Sequence, residues 1–222
     1  MPTFATMKTS HFFHKMLFAV IVMLTMAQSL SAQRNDQYEY NSMDIFAGPR
    51  VGAAMSNLTQ LNGDFRFGPY IGGFLELHIN PKIAVSFELS YSYEGTRNAK
   101  CNFVDYTPDT KSNINMHMLN TGYRFRYYIL PQLNLTTGIH MMRVMHAKGE
   151  TNGQSVKLHH KIRRGNLSFP FGAEVNFGPL AVEACYYLPL RKWTRNNELN
   201  DILGTAKTNL VTLTVGYKFY VF

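Results

Sequence analysis

Ile83-Ala84-Val85-Ser86-Phe87-Glu88-Leu89-Ser90-Tyr91-Ser92-Tyr93 is the stretch whose reading decides the fold. Its odd-numbered residues are apolar or aromatic, and its even-numbered ones are small, hydroxylated or, at Glu88, charged. That is the period-two pattern of a strand with two unlike faces. Residues 166–177 repeat it, with Leu167, Phe169, Phe171, Ala173, Val175 and Phe177 against Ser168, Pro170, Gly172, Glu174 and Asn176. So does the last stretch, 208–222, where Val211, Leu213, Val215, Tyr217, Phe219 and Val221 alternate with Thr212, Thr214, Gly216 and Lys218.

Outward from this stretch the chain divides into about eight such segments, at 44–54, 67–79, 83–93, 116–128, 133–146, 166–177, 180–188 and 208–222. No segment carries a 3.6-residue apolar period. Three of the breaks are short and hold a proline that ends the ladder: Asn80-Pro81-Lys82, Leu130-Pro131-Gln132 and Gly178-Pro179. The other four, 55–66, 94–115, 147–165 and 189–207, are long and polar. Short and long breaks alternate, so all tight turns fall at one end and all long loops at the other. This predicts an all-β fold: an eight-stranded antiparallel up-and-down transmembrane β-barrel with short periplasmic turns and long extracellular loops.

The charges choose between a membrane barrel and a soluble one. Arg50, Arg124, Arg126 and Lys218 fall on the polar parity, and so do Glu76, Glu88, Glu174 and Glu183. Facing lipid, each would cost up to about 2–4 kcal/mol at mid-depth, together more than the ~5–15 kcal/mol that holds a typical fold. In a soluble barrel they would face water with the aromatics inside; in a membrane barrel they must therefore point inward. Eight strands enclose an interior that side chains just fill, and buried charges need partners. The expectation is a plugged barrel with an ionic ladder, Glu88 beside the arginines of the fourth strand and Glu183 beside Lys218. Aromatic girdles are expected from Tyr91, Tyr93, Phe67, Phe169 and Tyr186 at the long-loop end, and from Tyr127, Phe177, Phe219 and Tyr220 at the other.

The composition fits an exported barrel. Of 222 residues, 16% are charged and 14% aromatic, against roughly 25% charged in an average soluble protein. Residues 1–32 have the layout of a cleavable secretory signal: Lys8 and Lys15 precede the apolar run 16–27, and Ser29-Leu30-Ser31-Ala32 offers the cleavage site. A membrane anchor is the alternative, but the run is shorter than the ~20 residues a spanning helix needs. Cleavage lowers the formal net charge from +8 to +6. A flexible lead-in, 33–42, then precedes the barrel domain, 43–222. No basic stripe interleaves with aromatics, so nucleic acid is not an expected partner. Cys101 and Cys185 are expected to be unpaired, since their positions suit neither a disulfide framework nor a zinc site.

Four segments carry a family resemblance: Gly48-Pro49-Arg50-Val51-Gly52-Ala53-Ala54-Met55-Ser56-Asn57-Leu58, Ile71-Gly72-Gly73-Phe74-Leu75-Glu76-Leu77, Leu89-Ser90-Tyr91-Ser92-Tyr93-Glu94-Gly95 and Val215-Gly216-Tyr217-Lys218-Phe219. With these in order, the chain resembles the small outer-membrane beta-barrel family of Gram-negative bacteria, PorT-like and eight-stranded in the manner of OmpA and OmpX. The resemblance implies outer-membrane residence, and for its PorT branch a part in protein secretion and gliding. It also implies that Thr214, Gly216, Phe219, Val221 and the terminal Phe222 form the signal read by the barrel-assembly machinery.

Candidates for chemistry are few. His140 reads as part of the interior. His146 with Glu94 or Ser92 could meet at the outer rim, and His159, His160, Asp105 and Asp109 lie in loops, but no local motif joins them. No metal or cofactor site is read. Lys148, Lys157, Lys161, Arg163 and Arg164 make the third long loop basic, either a solvated loop or a contact for lipopolysaccharide phosphates or another anionic partner. Trp193, among Arg191, Lys192 and Arg195, suggests an interface anchor. The leading expectation is a non-enzymatic barrel lying in outer-membrane lipid and serving envelope structure, adhesion or a secretion or envelope complex. An outer-membrane hydrolase or acyltransferase and a soluble lipocalin-like periplasmic binder are the alternatives, the last requiring its aromatic face inside.

Overall fold

The computed structural model describes residues 40–59, 61–101, 111–158, 162–193 and 206–222. Ten strands form one sheet: β1 (Ile45–Leu58), β2 (Asp64–Asn80), β3 (Ile83–Lys100), β4 (Lys111–Leu130), β5 (Leu133–Thr151), β6 (Gln154–Lys157), β7 (Gly165–Phe177), β8 (Leu180–Pro189), β9 (Thr208–Tyr217) and β10 (Phe219–Tyr220). All neighbours are antiparallel, and β9 pairs back onto β1, which closes an eight-stranded ring. β10 carries the last strand onward along β1 through Ala47 and Phe46. β6 pairs with β5.

The three proline turns join β2 to β3, β4 to β5 and β7 to β8, as the sequence indicates. In the first, Asn80 Oδ1 accepts from the Lys82 and Ile83 amides at 2.9 Å each, an Asx turn that starts β3. The long-loop end differs from expectation. β3, β4 and β5 run to 18, 20 and 19 residues, well beyond the ~9–11 that cross a bilayer. The wall therefore continues past the membrane, and much of what reads as loop is sheet. Asn152 and Gly153, with φ of 50° and 81°, form the two-residue turn that pairs β5 with β6. Positive φ at both positions is what makes Asn-Gly the favoured hairpin dipeptide.

Faces follow parity. Val51, Phe67, Ile71, Leu75, Phe87, Leu89, Tyr123, Phe125, Phe171 and Leu213 are exposed on the outside, so the aromatic face is not a cavity lining and the lipocalin-like alternative falls. The expected signal, residues 1–32, and most of the lead-in lie outside the described residues. Tyr40, near the end of that lead-in, is buried under the short-turn end. Its ring stacks on His78 with centroids 4.1 Å apart and packs on Tyr128 at 4.7 Å and Phe46 at 5.6 Å.

Candidate functional site

Eight charges meet at the middle of the barrel, each at most 7% exposed. Arg50 lies 2.7 Å from both Glu174 and Glu183. Arg126 reaches Glu174 at 2.5 Å, Glu76 at 3.1 Å and Glu183 at 3.4 Å. Arg124 binds Glu88 at 2.8 Å and also Glu183. Lys218 lies 2.9 Å from Glu174 and 3.2 Å from Glu76. Neutral donors complete the carboxylate shells: Tyr70 donates to Glu88 at 2.9 Å, Tyr128 to Glu76 at 2.6 Å and Asn134 to Glu174 at 3.1 Å.

The sheet register puts Glu174 directly opposite Glu183, a like-charge pair that alone would be destabilising. Arg50 and Arg126 each contact both carboxylates, which turns the repulsion into two bridges. Glu88 stands beside Arg124, on the strand the sequence named. The pairing of Glu183 with Lys218 needs correction. Glu183 faces Thr214 across the ladder, so Lys218 sits further toward the short turns, level with Glu76 and Glu174. Strand adjacency alone hides that offset, because neighbouring strands are staggered.

Above the charges the interior changes character. Leu58, Ile114, Met116, Met118, Met142, Val144 and Leu210 are buried there with Leu158, Ile162 and Trp193 from the outer connections. Trp193 is thus not an interface anchor. It is 2% exposed, and its Nε1 donates to Thr208 Oγ1 at 2.5 Å. A large ring with one polar atom gains most where it is buried and that atom has a partner. Its backbone also bonds to Arg163 and Ala206, drawing the third and fourth connections together.

The candidate rim chemistry does not assemble. Ser92 and Glu94 are buried on the inner face, with Ser92 Oγ donating to Glu94 at 2.5 Å and Asn120 donating to Ser92 at 2.8 Å. His146 faces the other way. The β4–β5 register slips between His117 and Met118, so that β5 carries one extra residue and both Met145 and His146 turn outward. His146 packs near His117, with centroids 6.0 Å apart. His140 is inside, 3.3 Å from Ser168 Oγ and against the Tyr187 ring at 4.5 Å. Asp105, Asp109, His159, His160, Lys161 and Arg195 lie outside the described residues.

Cys101 and Cys185 are free and buried. Burial pushes the Cys101 thiol up to about 11, so it stays protonated and unreactive at neutral pH. Lys148, Lys157 and Arg164 are exposed and Arg163 is half-buried. At the terminus Thr214 and Gly216 are buried inside, while Phe219, Val221 and Phe222 are exposed. The Phe222 carbonyl accepts from the Ile45 amide at 2.7 Å. Two outward residues escaped the sequence reading, His117 and Arg143. Both stand on the lipid-facing parity, where a polar side chain breaks the apolar pattern.

No curated protein sequence matches the chain. Among solved structures it is similar to Ail, the attachment invasion locus protein of Yersinia pestis, with 16% identity over 80% of this chain and 99% of that one at a TM-score of 0.46. It is also similar to Neisserial surface protein A (11% identity, 79% and 97% covered, TM-score 0.47) and to OprG of Pseudomonas aeruginosa (12%, 84% and 100%, 0.45). The profile of the family described as outer membrane protein beta-barrel domain matches residues 17–219. The chain belongs to this family, an outer-membrane β-barrel of Gram-negative bacteria.

Proposed function

We propose that the protein is a non-enzymatic barrel closed to solutes, and that its work is done by a polyanion-binding surface at the long-loop end, in envelope structure, adhesion or a secretion or envelope assembly. The charge distribution carries this reading. Arg97, Lys100, Lys111, Lys148, Lys157 and Arg164 are exposed at that end, whereas Asp64 and Glu150 are the exposed acids there among the described residues. The remaining charge near mid-barrel is balanced and internal. An excess of cations on the outer surface attracts phosphates of lipopolysaccharide or acidic surface polymers. The buried ionic layer and the apolar layer above it support closure, because together they occupy the lumen at two levels.

Changing Lys157, Arg163 and Arg164 together to glutamate tests the surface. Binding of the detergent-solubilised protein to immobilised heparin or lipopolysaccharide should weaken at least about tenfold and lose its salt dependence. Unchanged binding would remove the reading.

Residues 1–32 are, in this reading, the cleaved secretory signal. The last strand is the segment engaged by the barrel-assembly machinery, with Phe219, Val221 and Phe222 offered on the outside and Thr214 and Gly216 within. Gly216 also has a packing reason: a Cβ there would lie 3.2 Å from the Phe74 ring. Phe222→Ala keeps the carbonyl that holds Ile45 and removes only the ring. Its yield of folded protein in the outer membrane should fall several-fold in cells, while refolding of the purified chain into detergent stays the same. Equal insertion in cells would show that the terminal ring is not read.

A further inference from the structure

We propose that the outer wall of β3, β4 and β5 holds the phosphate-bearing headgroup of an outer-leaflet lipid, at the step where the apolar belt ends. The proposal rests on the long-loop end being an anion-binding surface and names one occupant for one part of it.

Three rows of paired residues build the step. Tyr91, Leu119 and Arg143 are consecutive partners across the three strands, and above them stand Tyr93, His117 and His146. The next row is Gly95, Asn115, Lys148 and, on β6, Lys157. Below, Leu89, Thr121 and Met141, then Phe87, Tyr123 and Ile139, continue downward as lipid-facing surface. Cations and ring donors therefore sit directly on top of an apolar wall. An anion with chains attached satisfies both levels at once, whereas a free phosphate uses only the upper one.

The upper rows are held in place. The Tyr91 hydroxyl is 2.6 Å from His117 Nδ1. With the hydroxyl as donor, the imidazole proton stays on Nε2, available to an oxygen acceptor. The Tyr93 ring packs on His117 at 5.0 Å, and Arg66 donates to the Tyr93 hydroxyl at 3.0 Å. Arg143 and Lys148 are exposed on either side of His146. They are charge-assisted donors for phosphate, Arg143 with the planar fork that suits it. An arginine so near the apolar belt has a reason to be there if an anion meets it. Elsewhere around the ring β7, β8, β9 and β1 present Leu167, Phe169, Leu188, Val211 and Met55 on this face. Among the described strand residues the charged rows lie on β3 to β6, and the nearest exposed cations beyond them are Arg164 before β7 and Arg191 and Lys192 after β8.

The test uses the full chain in nanodiscs of phosphatidylcholine carrying a minor fraction of phosphatidic acid, with retained lipid counted by native mass spectrometry. The wild type should keep phosphatidic acid in preference to phosphatidylcholine. Arg143→Leu with His146→Phe should lower that preference at least about tenfold while the barrel stays folded. Arg163→Glu with Arg164→Glu, which keeps Lys157 in its row, should leave it unchanged while heparin binding weakens, so loss of heparin binding in that variant and loss of lipid in the wall variant report separately. No preference in the wild type, or full preference in the wall variant, overturns the inference. So does inorganic phosphate displacing the lipid completely at equal concentration, because the chains would then add nothing.

Discussion

Gly48→Ala should leave most of the protein unable to close its barrel, a loss of more than about 4 kcal/mol. A Cβ on Gly48 would stand 1.6 Å from the Tyr217 carbonyl oxygen and 2.8 Å from its carbon. Those are backbone atoms of the closing strand, which no rotamer change can move away. The seam is already interrupted there. β9 ends at Tyr217 and β10 begins at Phe219, and the gap lies between the pairs Arg50–Gly216 and Ala47–Phe219, where Pro49 has no amide to give. The amide of Lys218 bonds instead to the Pro179 carbonyl at 2.7 Å. Gly73→Ala is the control, since its added Cβ would meet only the Gly48 oxygen at 3.4 Å. The fraction showing a heat-dependent shift in gel mobility measures closure. Gly48→Ala folding as well as Gly73→Ala would show that the seam can open to admit a methyl group.

Glu174→Ala should cost about 3–5 kcal/mol, because it strips one buried partner from a connected set and leaves cations uncompensated. Arg50, Arg126 and Lys218 all lose their contact with this carboxylate. The interior passes from balance to an excess of positive charge at a depth where water cannot easily follow. Adding Arg126→Met to Glu174→Leu restores the balance and should recover a large part of the loss, a coupling that additive effects would not produce. Urea-dependent unfolding in lipid vesicles, followed by gel mobility, reads both. An unchanged midpoint for Glu174→Ala would mean that the lumen is hydrated enough to screen its charges.

The alternation in 83–93 and 166–177 carries most of the fold. Period-two patterning is a local property that each strand states by itself, and the proline turns at Pro81, Pro131 and Pro179 are equally local. The loops were less legible. Residues 94–100 and 111–115 look polar and broken, yet they pair as sheet because the neighbouring strand supplies their hydrogen bonds. The β5–β6 hairpin depends on the left-handed backbone of Asn152 and Gly153, a signal present in the dipeptide but masked by the charge around it. His146 shows how one extra residue can defeat parity: the slip beside Met145 carries it from the inner face to the outer.

What the sequence by itself determined is which residues of the mid-barrel face lipid and which face inward, and hence that Glu76, Glu88, Glu174 and Glu183 share an interior with Arg50, Arg124, Arg126 and Lys218. The tertiary structure decided which acid meets which base, because stagger between strands sets their levels. It decided that Trp193 lies under the outer connections, since burial of a loop residue depends on where a second loop arrives. It also brought Arg143, His117 and His146 onto one patch of wall, because lateral neighbours on a sheet come from strand pairing and cannot be read from any one strand.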